Sequence, residues 1–218
     1  MLKISSNNDS HESSVSLVSN EQNKLVTPVV NGPTNNNFEN LNLSEDLLKG
    51  VYLYGFINPS KIQIKGINTI NTGYDCIIQS QSGTGKTATY LLGIFNHLDK
   101  NTFCQGIIIT PTRELANQVF NVGINLIKFT NFRLTKCIGG TNIIENKADV
   151  KNTNIIIGTL GRIFHLINEM KYNLHKLKFI VLDEADEILN NGINSKLAMI
   201  YDIIPTNIQT ILISATTS

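Results

Sequence analysis

Ser80-Gln81-Ser82-Gly83-Thr84-Gly85-Lys86-Thr87 is where this 218-residue chain concentrates its chemistry. The octet follows a short apolar run, Cys76-Ile77-Ile78, and precedes a helix-like segment from Ala88 to Leu98. A glycine-rich turn between a strand and a helix aims backbone N–H groups and the positive end of the helix dipole at one point, which phosphate oxygens fit. Lys86 can neutralise terminal phosphates, and the Thr87 hydroxyl can hold Mg²⁺. The general phosphate-loop pattern has glycine where Ser80 stands, so the match is imperfect. A flexible turn is the alternative; the Lys-Thr ending and the flanking elements argue against it.

A second run, Phe179-Ile180-Val181-Leu182-Asp183-Glu184-Ala185-Asp186, puts two adjacent carboxylates after four apolar residues. A buried parallel strand delivers acids to the carboxyl edge of a sheet in this way. Beside a phosphate loop, Asp183 is placed to complete a Mg²⁺ environment opposite Thr87. Glu184 points elsewhere and can orient or deprotonate an attacking water. An acidic helix N-terminus is the alternative, since Asp and Glu favour first turns.

Two further loops share one form: Thr110-Pro111-Thr112-Arg113 after Ile109, and Thr159-Leu160-Gly161-Arg162 after Ile157-Gly158. Each offers Thr at an N-cap with Arg three residues on, and the first offers Pro at N1. A helix N-terminus with Arg in its first turn can seat a phosphate. Gly139-Gly140-Thr141 adds a loop whose backbone can approach a ligand closely. Three such seats beside one nucleotide pocket point to a second polyanion, a nucleic-acid backbone held without reading its sequence. For Arg113 and Arg162 a purely structural pairing role stays open.

The elements that must position these residues read as runs. A helix is expected from Phe38 through Ser44-Glu45-Asp46-Leu47-Leu48-Lys49, broken at Gly50 or Gly55, and another after Pro59 through Ile62, Ile64 and Ile67 to Ile70. Following the strand at Cys76 to Ile78, apolar runs at Ile107-Ile108-Ile109, Leu134 to Ile138, Ile155-Ile156-Ile157, Phe179 to Leu182 and Thr210 to Ser214 alternate with helix-like segments. Continuous apolar strands imply burial on both faces, hence a doubly wound α/β fold with a parallel sheet. Ligands bind off the carboxyl ends of such strands, where every motif above falls.

Residues 1–37 differ in kind. Eight Asn and seven Ser leave too little apolar material to offset the entropy of ordering, so a disordered tail ending near Asn37 is expected. Three dispersed cysteines and four histidines show no metal-ligand spacing, and no run is long enough to span a membrane. These features lead to the expectation of a soluble cytoplasmic protein. A net charge of +1 carries no global basic footprint, so any nucleic-acid contact must be local.

On these residues the chain resembles the amino-terminal RecA-like domain of the DEAD-box RNA helicases, and among them the helicases of translation initiation. Ser80 to Thr87 resembles motif I, whose helicase form begins with alanine. Asp183-Glu184-Ala185-Asp186 is the name motif, Pro111-Thr112-Arg113-Glu114-Leu115-Ala116 motif Ia, Gly139-Gly140 the glycine pair, and Ser214-Ala215-Thr216 motif III. Gly55-Phe56, Pro59-Ser60 and Ile62-Gln63 resemble the Q motif, with Phe38 as the isolated upstream aromatic. Thr159-Leu160-Gly161-Arg162 departs from motif Ib, with leucine where proline is usual. The likeness runs from about Phe38 to Thr216, dividing the chain into a tail (1–37), a Q-motif region (38–66) and a RecA-like domain (67–218).

The resemblance implies ATP and Mg²⁺, with Lys86, Asp183 and Glu184 as the catalytic groups. ATP would lie on Ser80, Gln81, Ser82, Gly83, Thr84, Gly85, Lys86 and Thr87, with Gln63 reading adenine through an amide that matches its N6 and N7 edge. Phe38 and Phe56 either pack on the base or are plain core. Single-stranded RNA would cross Pro111, Thr112, Arg113, Gly139, Gly140, Thr159, Gly161 and Arg162, while Asp186, Ser214 and Thr216 couple nucleotide state to domain geometry. Scaffold proteins of translation initiation are implied partners; a membrane is not. The family's second RecA-like domain is expected in a longer protein or in trans. The alternative is a truncated ATP- and RNA-binding module that does not unwind.

Overall fold

A computed structural model describes residues 14–19, 24–26, 37–140, 150–170, 174–190 and 194–215. Its sheet is built on six parallel strands: β3 (Cys76–Gln79), β4 (Gly106–Thr110), β5 (Leu134–Cys137), β6 (Ile155–Thr159), β7 (Phe179–Leu182) and β8 (Gln209–Ser214). All six correspond to the apolar runs expected from the sequence. With β1 (Ser14–Ser19) and β2 (Lys24–Val26) the order is β2-β1-β3-β8-β7-β4-β6-β5. The doubly wound α/β class is therefore observed, with crossover helices α3 (Lys86–Phe95), α4 (Arg113–Leu126), α5 (Leu160–Met170), α6 (Ala185–Asn190) and α7 (Asn194–Tyr201).

Side-chain alternation explains why the central strands are apolar throughout. Ile108, Ile155, Ile157, Phe179 and Val181 point into one core, shared with α3 and α4. Their neighbours Ile107, Ile109, Ile156, Ile180 and Leu182 point into the other, covered by α5, α6 and α7. Register keeps the layers aligned: Ile107 pairs with Ile156 and with Ile180. A one-residue slip would exchange the two sets between faces.

The amino-terminal expectations need two corrections. Within the presumed tail, Ser14–Ser19 forms β1, antiparallel to β3, and Lys24–Val26 pairs with β1 in turn. Val15 is the physical reason: it is buried in the first core, and Ser14 Oγ donates to Gln79 Oε1 at 3.4 Å. The other residues of that stretch, apart from Asn37, lie outside the described residues. Secondly, Phe38–Leu41 is a separate 3-10 turn, ended by Asn42 at φ 55°. Helix α1 (Glu45–Leu53) starts afresh on Ser44, whose hydroxyl accepts from Leu47 N–H. Helix α2 spans Lys61–Ile70, so the 66/67 boundary falls inside it, and both sides of that boundary share the first core.

Helix α1 runs straight through Gly50; Gly55, at φ 98°, follows its end. Gly50 instead permits contact with α4, because a Cβ there would lie 2.0 Å from the Leu126 carbonyl oxygen. Similarly, Gly66 on α2 faces Thr89, and Gly93 on α3 faces Ile70, which lets these two helices approach closely. That approach brings the Q-motif helix under the phosphate loop.

Gly50→Ala sets helix propensity against packing. Alanine favours a helix by about 1 kcal/mol, but the clash is with backbone and has no rotamer escape. We expect a net loss of about 2–3 kcal/mol, toward the upper end of overpacking effects, read as a lower denaturant midpoint. A midpoint equal to or above the parent's would show that α1 can move off α4.

Candidate active site

The phosphate loop leaves β3 at Gln79 and enters α3 at Lys86, with Gly83 and Gly85 in left-handed conformations at φ 79° and 96°. Such values strain any residue with a side chain. Ser80, in the place of a glycine, is fully buried, and its Oγ lies 2.6 Å from Thr84 Oγ1. Thr84 in turn donates to the Gln81 carbonyl at 2.8 Å, so the serine ties the loop through its side chain. Lys86 Nζ donates to the carbonyls of Ser80 and Gln81, the latter at 2.9 Å. Burial lowers the pKa of Lys86, while Asp183, Glu184 and Asp186 pull it back up.

Asp183 ends β7 at 4% exposure. Tyr90 donates its phenol hydrogen to Oδ2 at 2.7 Å, and the Glu184 N–H donates to Oδ1 at 3.1 Å. Burial raises the Asp183 pKa, and both hydrogen bonds and the Lys86 charge oppose the rise. Glu184 sits at φ 51°, a left-handed step between β7 and the helix that follows. Burial also raises the Glu184 pKa, followed by its hydrogen bond with the Glu187 carboxyl and the charge of Asp183. Thr87 and Asp183 are hard oxygen donors suited to Mg²⁺. Among the described residues no cluster of three His, Cys, Asp or Glu could hold a metal alone. The donor set thus fits a cation shared with a nucleotide's phosphates, as Mg²⁺ sites of this sort usually are.

The Q-motif residues reach the loop from below. Ser60 Oγ donates to the Thr84 carbonyl at 3.0 Å, and Ser60 with Gln63 forms a capping box at the start of α2. Gln63 is 3% exposed; its Oε1 accepts from the Ser60 N–H at 2.8 Å. Its Nε2 lies 2.7 Å from where a Cβ on Gly85 would stand. Phe56 is half-buried, whereas Phe38 is fully buried with its ring centroid 6.1 Å from that of Phe56. Of the two readings left open for Phe38, its burial favours core, where it backs Phe56.

Across the same sheet edge, the Arg113 guanidinium lies against Gly139, where a Cβ would meet Nη2 at 2.6 Å, and near Gly140. The structure so joins two loops far apart in sequence. Helix α4 begins later than expected: its N-cap is Thr112, accepting from Leu115 N–H at 3.1 Å, and Pro111 precedes the cap. Thr110, buried, instead donates to the carbonyls of Thr112 and Gly158. Thr159 ends β6 and α5 begins at Leu160, with Gly161 and Arg162 in the first turn. Leu160 replaces a proline at a position whose N–H has no helical partner, and buries its side chain in the second core. Arg162 hydrogen-bonds the Cys137 thiol, which burial nonetheless pushes up to about 11.

The expected tie from Ser214 to Asp186 is not made. Ser214 Oγ donates to the Ala215 carbonyl at 3.0 Å, and Asp186 Oδ1 is buried with no partner among the described residues. Thr141 and Thr216 lie outside those residues. Tyr90 and Glu187 adjoin the acidic pair but were missed, and Ser60 was named only within the Q-motif string. Tyr90 carried one signal, its place three residues after Thr87 on one helix face.

Raised acid pKa values give a pH-dependent prediction. A carboxyl raised on folding favours the folded state fully only below its unfolded value, and that stability is lost as pH rises through the folded value. At neutral pH, Glu184→Gln should therefore raise the thermal midpoint. The gain should vanish as pH falls to the ordinary glutamate value of 4.5. Melting curves at pH 7 and pH 4.5 test this, and a gain independent of pH would place its origin elsewhere.

Comparison with known proteins agrees with this geometry. Residues 60–218 match the family model of the DEAD/DEAH box helicases. The chain is 41% identical over 182 residues to the ATP-dependent RNA helicase eIF4A of Mycosarcoma maydis, covering 83% of this chain and 44% of that one. It is 44% identical over 181 residues to the ATP-dependent RNA helicase FAL1 of Meyerozyma guilliermondii, covering 82% and 46%. The chain thus spans about half the length of these relatives. The S. cerevisiae Dbp5 structure bound to RNA and ADP BeF3 superposes with a TM-score of 0.74 at 31% identity, covering 84% of this chain and 47% of that one. The loops that converge on the carboxyl edge of this sheet are those of one family, and the chain belongs to the DEAD/DEAH box helicases.

Proposed function

We propose that this chain is the ATP-binding half of an ATP-dependent RNA helicase, in which hydrolysis is coupled to RNA binding and local duplex opening. The observation that carries this is the shared edge: phosphate loop, acidic pair and Arg113–Gly139 contact all leave the carboxyl ends of parallel strands of one sheet. Phosphates entering the loop would replace the carbonyls of Ser80 and Gln81 as partners of Lys86. Thr87 and Asp183 would hold Mg²⁺ together with those phosphates, and the ion would supply neutralisation of the charge that develops on the transferring group. Glu184, on its left-handed backbone step and raised in pKa, orients the attacking water and takes its proton. Gln63 offers its Nε2 to the base, while its Oε1 is engaged by the capping box.

The RNA backbone would run over Thr112, Arg113, Gly139, Gly140, Thr159 and Arg162. These contacts are local, as the net charge of +1 requires. A relative named eukaryotic initiation factor 4A supports a role in translation initiation; a cytoplasmic location and scaffold proteins of that process belong to the same reading. A second RecA-like domain, in a longer chain or in trans, would close the nucleotide site from the other side.

Lys86→Ala should weaken ATP binding about tenfold or more while leaving AMP binding nearly unchanged, because the lost charge faces the distal phosphates. Titration with both nucleotides is the check; equal weakening would assign Lys86 to loop stability instead.

An arginine finger from the opposing domain contributes about 10³–10⁵ in rate. The 218-residue chain by itself should thus bind ATP yet show slow ATPase, little RNA stimulation and no strand separation. A short blunt duplex, assayed with this chain and with the same chain joined to a second RecA-like domain, tests that. Robust ATP-dependent unwinding by the short chain as a monomer would overturn the division of labour.

A further inference from the structure

The phosphate loop and the acidic loop leave strands that are not neighbours, since β8 lies between β3 and β7. Strand pairing alone therefore does not set the Thr87 hydroxyl against the Asp183 carboxylate. One buried side chain crosses the gap from α3. Tyr90 is 0% exposed, and its phenol donates to Asp183 Oδ2 at 2.7 Å across 93 positions of sequence. Thr87 lies nearly one turn earlier on the same helix. A phenylalanine would fill the same space without a hydroxyl to satisfy, so core packing does not account for the oxygen.

Bond polarity in this chain is determined. An ionised carboxylate only accepts, so the phenol hydrogen is committed to Asp183. Asp183 is fixed at its other oxygen by the Glu184 N–H at 3.1 Å.

We propose that Tyr90 is a positioning residue for the nucleotide's cation: its phenol holds one oxygen of Asp183 while the Glu184 N–H holds the other, presenting the carboxylate to Mg²⁺ in a fixed orientation. The proposal rests on the reading of Thr87 and Asp183 as the groups that hold Mg²⁺. Outer partners of metal-holding side chains typically change metal affinity about 10- to 100-fold when removed.

The test is Tyr90→Phe in the 218-residue chain, read by binding of a fluorescent ADP at stepped Mg²⁺ concentrations and in EDTA. The Mg²⁺ concentration for half-maximal binding should rise about tenfold, the low end of that range, with affinity in EDTA unchanged. An unaltered Mg²⁺ requirement, or an equal loss with and without Mg²⁺, overturns the proposal. If the parent chain itself binds ADP without regard to Mg²⁺, the underlying cation reading fails and takes the proposal with it, an outcome visible before any substitution is made. A second measurement needs no variant: with ¹³C-labelled tyrosine, the Tyr90 Cζ resonance should move when Mg²⁺ is added to the ADP-bound chain but not when ADP is added in EDTA. A resonance indifferent to Mg²⁺ overturns the proposal even should the variant fail to fold.

Discussion

A carboxylate at 4% exposure on the end of an apolar strand is the constraint around which this molecule is arranged. Moving a charge out of water is unfavourable unless it is bonded and compensated. Asp183 receives one hydrogen bond from Tyr90 and one from the Glu184 N–H, with the Lys86 charge nearby. Each compensating group makes its own demand. Tyr90 requires α3 to pack on the first core with its phenol aimed across β8. The Glu184 N–H reaches Oδ1 from a residue held at φ 51°. Lys86 must begin α3, which makes the loop before it a left-handed glycine turn. Burial still outweighs these groups, leaving the Asp183 pKa raised.

Most of the fold was legible because its signal is local. Three or four consecutive apolar residues followed by a turn identify a strand buried on both sides, and five of the six parallel strands fall on such runs, the mixed β5 (Leu134–Cys137) being the exception. The phosphate loop and acidic pair were legible because their chemistry depends on neighbours in sequence. What escaped is set by contacts distant in the chain. Gly50 reads as a helix breaker by propensity, yet its role is fixed by a Leu126 carbonyl on another helix. Tyr90 reads as one more apolar position in α3; only the fold brings Asp183 to its hydroxyl. Phe38 was open between base contact and core, and the turn that buries it beneath Tyr52 and Phe56 decides for core.

The amino-terminal hairpin shows the limit of composition. Asn and Ser dominate its surroundings, but Val15 needs only one strand's worth of apolar pattern to bury itself beside β3. Without β1, the phosphate-loop strand would be an edge with unpaired backbone groups, and exposed edges invite pairing with other chains. β1 moves the edge outward to β2, three residues long, and short edge strands are a common way to blunt that hazard.

The loop's internal bonds bear on how a nucleotide would enter. Ser80, Thr84, Gln81 and Lys86 bond among themselves, and Ser60 adds a bond from α2 to the Thr84 carbonyl. A phosphate would satisfy Lys86 in place of two carbonyls, so much of the exchange is one set of partners for another rather than new bonds from water. The net gain must then come from charge and from backbone N–H groups at the start of α3. Because Ser60 and Gln63 grip this loop from the capping box, a base seated against α2 and a phosphate seated on α3 act on the same short segment. On the proposed reading, base recognition and phosphate binding would be mechanically joined through Thr84 and Gly85, and a ligand that carries both groups would gain from a fit that neither half alone would produce.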